Sequence, residues 1–153
     1  MSTPFAHSIR YAVLASFLFL ASAPTAGAGE QKLIATDLNH VAIRGYDTVA
    51  YFTDGKAIKG SSQFEYVWGD ARWQFSSAAH RDLFAADPER YAPQYGGYCA
   101  NVLANGELSV ANPTSWTIVD GKLYMFAGSK FVGGWRAGDI AQADQSWRAR
   151  TGE

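Results

Sequence analysis

The chain has very little cysteine: Cys99 is the only one in 153 residues. A single cysteine cannot form a disulfide within the chain, so the fold lacks the covalent crosslinks of many small secreted domains. Only three histidines accompany it. A structural zinc site normally takes four cysteine or histidine ligands. Such a site is therefore not expected within one molecule unless carboxylates contribute.

Long apolar runs are also missing. The main run, Tyr11–Ala21, is shorter than the roughly 20 residues that a transmembrane helix needs. It follows one positive charge, Arg10, and precedes the small residues Ala26-Gly27-Ala28, which is the pattern of a secretory signal and its cleavage site. We therefore predict that residues 1–28 are a secretory signal peptide and that the mature protein is periplasmic or secreted. A retained membrane anchor is the alternative; after cleavage no stable membrane span is expected.

The mature chain also lacks an excess of basic residues. Residues 1–28 carry one of the 13 Lys and Arg residues and none of the 14 Asp and Glu residues, so the mature net charge is −2. No basic stripe is present, and nucleic acid is not an expected partner. The remaining length fits one domain. We predict a polar lead-in over residues 29–40 and a single domain over residues 41–150.

Aromatic residues are abundant instead. All five tryptophans lie in the mature part, at Trp68, Trp73, Trp116, Trp135 and Trp147. Large aromatic side chains bury much apolar surface each. They therefore offer a way for a short chain without disulfides to build a stable core.

Local patterns predict two β-hairpins. Alternating aromatic residues in Gln63–Trp68 precede a turn and the returning segment Trp73–Phe75. Asp120-Gly121 separates the apolar runs Trp116–Val119 and Lys122–Phe126, and Asp-Gly in that setting is the strongest short hairpin pattern.

Helices are predicted between and after the hairpins. One begins at Ser76 or Ser77 and runs to about Asp87, where Pro88 stops it. Residues 98–104 predict one or two helical turns, and a last helix begins at Asp139. The predicted fold class is α+β, a small domain of short antiparallel β-hairpins packed with several short helices.

Several motifs in this order resemble the YHS domain family. The run Phe75–Tyr91 looks like the core of that family, and Gly45–Phe52 looks like its opening motif. Tyr95–Ala100 and Asp120–Tyr124 resemble its stand-alone, exported branch. The resemblance spans about residues 41–148 and implies a small α+β fold.

The resemblance also implies an expectation about metal binding. Metal-binding members of the family, attached to heavy-metal and copper transport proteins, use cysteine thiolates at three positions. The matching positions here are Ala50, Ser76 and His80. The resemblance thus does not transfer the cysteine site, but it places His80 where a ligand would project.

The candidate metal ligands are Cys99, His80 and His40. Thiolate, imidazole and thioether ligands suit copper, so copper is the expected cofactor if a metal binds, with water or a partner completing the shell. Cys99 follows Gly96-Gly97 at a predicted helix start, where unpaired N–H groups favour the thiolate. The alternative is that Cys99 packs as a small apolar side chain.

Four further residues are candidates for a ligand pocket. Tyr95 and Tyr98 flank the cysteine region, and Tyr46 and Asp47 belong to the opening motif. For Asp47 a helix-capping role is preferred to a chemical one.

These observations leave three functions open. The first is an exported metal-binding module, for copper, that uses Cys99. The second is a non-catalytic domain that binds a protein or a small ligand, with Cys99 structural. The third and least favoured is a thiol enzyme with Cys99 as nucleophile and His80 as base. In each case two chains could meet at Cys99 as a homodimer, and an unknown exported protein could be the partner.

Overall fold

The computed structural model describes residues 32–152. The predicted signal peptide, residues 1–28, lies outside the described residues, as does the beginning of the lead-in. Among residues 32–152, no helix is both long and apolar enough to cross a bilayer.

Two separate antiparallel hairpins form the strands. They are β1 (Ser61–Trp68) with β2 (Ala71–Phe75), and β3 (Asn112–Val119) with β4 (Lys122–Phe126). Each hairpin turns on two residues with left-handed backbone, Gly69-Asp70 and Asp120-Gly121. Such turns match the natural twist of paired strands. Both predicted hairpins are therefore confirmed.

Between residues 32 and 152, five helices and three short 3₁₀ segments accompany the hairpins. The helices are α1 (Ala50–Thr53), α2 (Ala78–Ala86), α3 (Pro88–Tyr91), α4 (Ala100–Ala104) and α5 (Ala137–Thr151). The 3₁₀ segments are Ile43–Gly45, Gln94–Gly97 and Ser129–Gly134. The predicted α+β class is confirmed.

Side-chain hydrogen bonds mark the starts of α2, α3 and α5. Ser77 Oγ accepts a hydrogen bond from the His80 N–H at 3.2 Å, which starts α2 as predicted. Asp87 ends α2, and its carboxylate accepts the Arg90 N–H at 3.2 Å to start α3. The final helix begins at Ala137, two residues before the predicted start, because the carboxylate of Asp139 accepts a backbone N–H from before the helix.

Two apolar cores fill the interior. The first packs β1 and β2 against α2, with Phe84 in contact with four aromatic rings at centroid distances of 4.9–6.1 Å. The second joins α4, β4 and α5 around Leu103, Phe126 and Ala143. On α2, Phe84 is fully buried, whereas Leu83 remains 41% exposed.

The lead-in packs onto the domain. The Ala35 N–H donates to the Gly96 carbonyl at 2.9 Å, and the Ile43 N–H donates to the Ala35 carbonyl at 3.2 Å. Gly96 has a left-handed backbone, with φ of 59°, and a Cβ there would lie 1.9 Å from the Leu33 carbonyl oxygen. The close approach of the lead-in therefore requires glycine at this position.

Replacing Gly96 by alanine tests this contact. We expect Gly96→Ala to lower the free energy of unfolding by about 3 kcal/mol or more, because left-handed strain of about 1 kcal/mol adds to a backbone clash. Gly106→Ala is the matched control, since Gly106 also has positive φ but faces open space. Urea unfolding measures both variants. Equal losses in the two would mean that the lead-in does not pack against Gly96.

Candidate functional site

A buried carboxylate organises the opening motif. Asp47 is fully buried, and its Oδ1 accepts the N–H groups of Val49 and Ala50 at 3.0 and 3.2 Å. These bonds satisfy backbone donors at the start of α1. The predicted capping role of Asp47 is confirmed. Its other oxygen, Oδ2, accepts both the N–H and the hydroxyl of Ser76, at 2.8 and 2.6 Å.

His80 is held by the same carboxylate. Its Nδ1 lies 2.7 Å from Asp47 Oδ2, and its side chain is 16% exposed. A carboxylate only accepts, so Nδ1 carries a proton and donates it to Asp47. Nε2 lies 3.4 Å from Thr53 Oγ1 and 3.8 Å from Asp54 Oδ2. Asp47 thus fixes the orientation of this ring.

Cys99 lies elsewhere, in the second core. It is fully buried, and its Sγ accepts the Ala127 N–H at 3.1 Å. Its backbone N–H donates to the Ser109 carbonyl at 2.8 Å, and it immediately precedes α4, near the predicted helix start. The thiol is therefore packed among apolar side chains of the core.

The three candidate metal ligands are dispersed. Cys99 belongs to the second core, His80 is bonded to Asp47, and His40 is exposed in the lead-in. Over residues 32–152, no three side chains among His, Cys, Asp and Glu are grouped so that they could hold a metal ion. Copper binding through Cys99 stays a prediction.

The four pocket candidates also occupy different places. Asp47 is enclosed in its hydrogen bonds, and Tyr46 is half-buried beneath Lys59, whose Nζ lies 4.7 Å from the ring centroid. Tyr98 is half-buried and pairs with Val110 through an isolated bridge. Tyr95, in contrast, lines a cleft at the protein surface.

That cleft is lined by aromatic side chains from both cores. It has a volume of about 420 Å³ and lies between the lead-in, the first hairpin, the segment Gln94–Gly97 and the end of α5. Trp68 and Trp73 come from the first core, and Tyr95 and Trp147 come from the second. The cleft therefore lies at the seam between the two cores.

Tyr95 is fixed in the wall of the cleft. Its hydroxyl donates to Asp144 Oδ1 at 2.8 Å, and its ring lies 5.9 Å from the ring of Trp147. Burial raises the pKa of Tyr95, and the hydrogen bond to the Asp144 carboxylate raises it further. Tyr95 is consequently a neutral hydroxyl donor that ties the wall to α5.

Three charged side chains line the cleft. Lys32 Nζ pairs with Glu89 Oε1 at 2.9 Å and lies 4.7 Å from the centroid of the Trp68 ring. Arg150 donates from Nη2 to the Gly106 carbonyl at 2.8 Å. The cleft thus combines apolar walls with a few polar groups, which is the usual composition of a small-molecule site.

The tryptophans of the cleft were assigned to the core by the sequence pattern. That assignment is correct for Trp73, which is buried, but Trp68 and Trp147 are only partly buried and present surface to the cleft. The sequence indicates these residues only through its high content of aromatic side chains. A high aromatic content predicts that the rings are buried, but it does not predict which ring edges face a cleft.

Comparison with known proteins does not assign the chain to a family. No protein-family model matches the chain, and no curated protein or solved structure is significantly similar to it. The resemblance to the YHS family stays a prediction that rests on the order of its motifs.

The carboxylate of Asp47 is expected to carry a large share of the stability. Asp47→Ala removes the cap of α1 and leaves Ser76 and His80 without their acceptor, so we expect the free energy of unfolding to fall by about 3–5 kcal/mol. Asp82→Ala is the control, because Asp82 is exposed on α2 and pairs only with its neighbour Arg81. Its expected loss is about 0.5 kcal/mol or less. Similar losses in urea unfolding of the two variants would contradict the role given to Asp47.

Burial of Cys99 predicts slow reaction with thiol reagents. In the native protein we expect labelling on the order of 100-fold slower than in urea, because the thiol must wait for opening of the second core. Absorbance after addition of an aromatic disulfide reagent follows the rate. Equally fast labelling in the native and unfolded states would show that the thiol is accessible and would favour its use as a ligand.

Proposed function

We propose that the protein is an exported, non-catalytic binding module that takes a small ligand with an apolar body in the aromatic cleft. The observation that carries the proposal is the cleft itself, which gathers Trp68, Trp73, Tyr95 and Trp147 around about 420 Å³. This volume lies within the range of about 300–1,000 Å³ that is usual for small-molecule sites.

The wall chemistry supports a ligand of this kind. Indole rings offer large, flat apolar surfaces and lose little conformational freedom on binding. Trp73 is anchored by its Nε1–H, which donates to the Trp68 carbonyl at 3.0 Å. Tyr95 is anchored through Asp144. The cleft is thus held open before a ligand arrives, which reduces the cost of ordering it.

The position of Cys99 supports the same function. A thiol that is fully buried and already accepts a hydrogen bond from Ala127 serves the packing of α4 against β4. Its burial therefore favours the structural role over the role of a metal ligand.

A titration with a neutral aromatic alcohol, naphthylmethanol, tests the proposal. The five tryptophans give an internal comparison in proton–nitrogen NMR spectra of the indole N–H groups. We expect shifts at Trp68, Trp73 and Trp147, which line the cleft, and none at Trp116 and Trp135, which lie outside it.

Two variants sharpen this test. Trp147→Leu removes one wall and should weaken binding by about tenfold, which corresponds to about 1.4 kcal/mol. Trp135→Leu is the control, since Trp135 packs in the same core without lining the cleft, and it should bind as the unaltered protein does. Uniform small shifts at all five indoles, or no shifts at millimolar probe, would refute the proposal.

A further inference from the structure

The charged side chains that line the cleft indicate which class of ligand it would bind. Lys32 and Arg150 are cationic and Glu89 is anionic, so the charged side chains that line the cleft sum to one positive charge. The whole chain, in contrast, has a net charge of −1. Positive charge is therefore concentrated at this cleft against the overall balance of the protein.

The excess charge belongs to Arg150. Lys32 is neutralised by Glu89 at 2.9 Å, whereas the hydrogen bond that Arg150 forms within residues 32–152 goes to a neutral carbonyl, that of Gly106. No carboxylate of residues 32–152 forms an ion pair with Arg150. One guanidinium has five N–H donors in a planar fork, so several of them remain for a ligand.

A neighbouring cavity also has more cationic than anionic side chains in its lining. It has a volume of about 220 Å³ and shares Gln94, Tyr95 and Trp147 with the cleft. Lys122 and Arg148 outnumber Asp144 among its other residues, and Asp144 is already bonded to Tyr95. Cations thus lie on both sides of the shared wall of Tyr95 and Trp147.

We infer that the ligand of the cleft is a small aromatic carboxylate, bound with its ring against the indoles of Trp68 and Trp147 and its carboxylate on the guanidinium of Arg150. This inference rests on the proposed function and adds the chemical class of the ligand. A planar carboxylate accepts two parallel N–H bonds from an arginine, and such charge-assisted pairs are stronger than neutral hydrogen bonds. The aromatic body provides the apolar contact that the walls require.

Three probes with one aromatic body test the charge preference. They are naphthoate, naphthylmethanol and protonated naphthylmethylamine, and calorimetry gives the affinity of each. We expect naphthoate to bind about tenfold more tightly than the alcohol and the ammonium probe to bind most weakly. Added salt should weaken the binding of naphthoate and leave that of the alcohol nearly unchanged.

Variants that change one charge each identify the side chain responsible for the preference for the carboxylate probe. Arg150→Gln should remove the tenfold advantage of naphthoate over the alcohol. Glu89→Gln frees Lys32 from its partner and should strengthen naphthoate binding. Arg81→Gln, on α2 and outside the cleft, is the matched control and should change neither affinity.

The outcomes separate the two proposals. Binding of the alcohol in the cleft with an equal or lower affinity for naphthoate would overturn the carboxylate inference and leave the binding module intact. Tighter naphthoate binding that persists in Arg150→Gln would overturn the assignment to Arg150. Binding of none of the three probes would refute the proposed function and the inference together.

Discussion

One fully buried carboxylate holds the opening half of the molecule together. Asp47 accepts hydrogen bonds from the start of α1, from Ser76 at the end of the first hairpin, and from His80 on α2. A buried charge is costly unless its oxygens are bonded, and here both oxygens are. Three segments of chain must therefore converge on this side chain, and their convergence sets the position of Phe84 at the centre of the first core.

The second core is organised by hydrogen bonds of Cys99 and by aromatic packing, without a buried carboxylate at its centre among the described residues. Cys99 lies just before α4. Its backbone N–H donates to the Ser109 carbonyl, and its Sγ accepts the N–H of Ala127, the residue after β4. Aromatic rings of Tyr95, Phe126 and Trp147 then close the core against α5. The cysteine is thus placed by packing, as a small side chain buried among apolar neighbours.

Local features of the fold were predictable because their causes are local. Asp120-Gly121 determines the second hairpin, and Ser77 determines the start of α2, in each case through residues adjacent in sequence. The capping role of Asp47 followed for the same reason. Its bond to His80 and the approach of the lead-in to Gly96 could not be predicted, because they join segments far apart in the chain. The cleft is of this second kind, since Lys32, Trp68 and Trp147 meet only through tertiary packing.

The cleft lies where three parts of the molecule meet. A molecule bound there would contact Trp68 of the first core, Trp147 of the second and Lys32 of the lead-in. Any ligand that binds only the folded state adds its binding free energy to the stability of everything it bridges. The cleft lies between the two cores, and the tryptophan side chains that line it leave apolar surface exposed to water. A ligand that fills the cleft would remove that exposure, and this gain is the physical basis of the proposed binding.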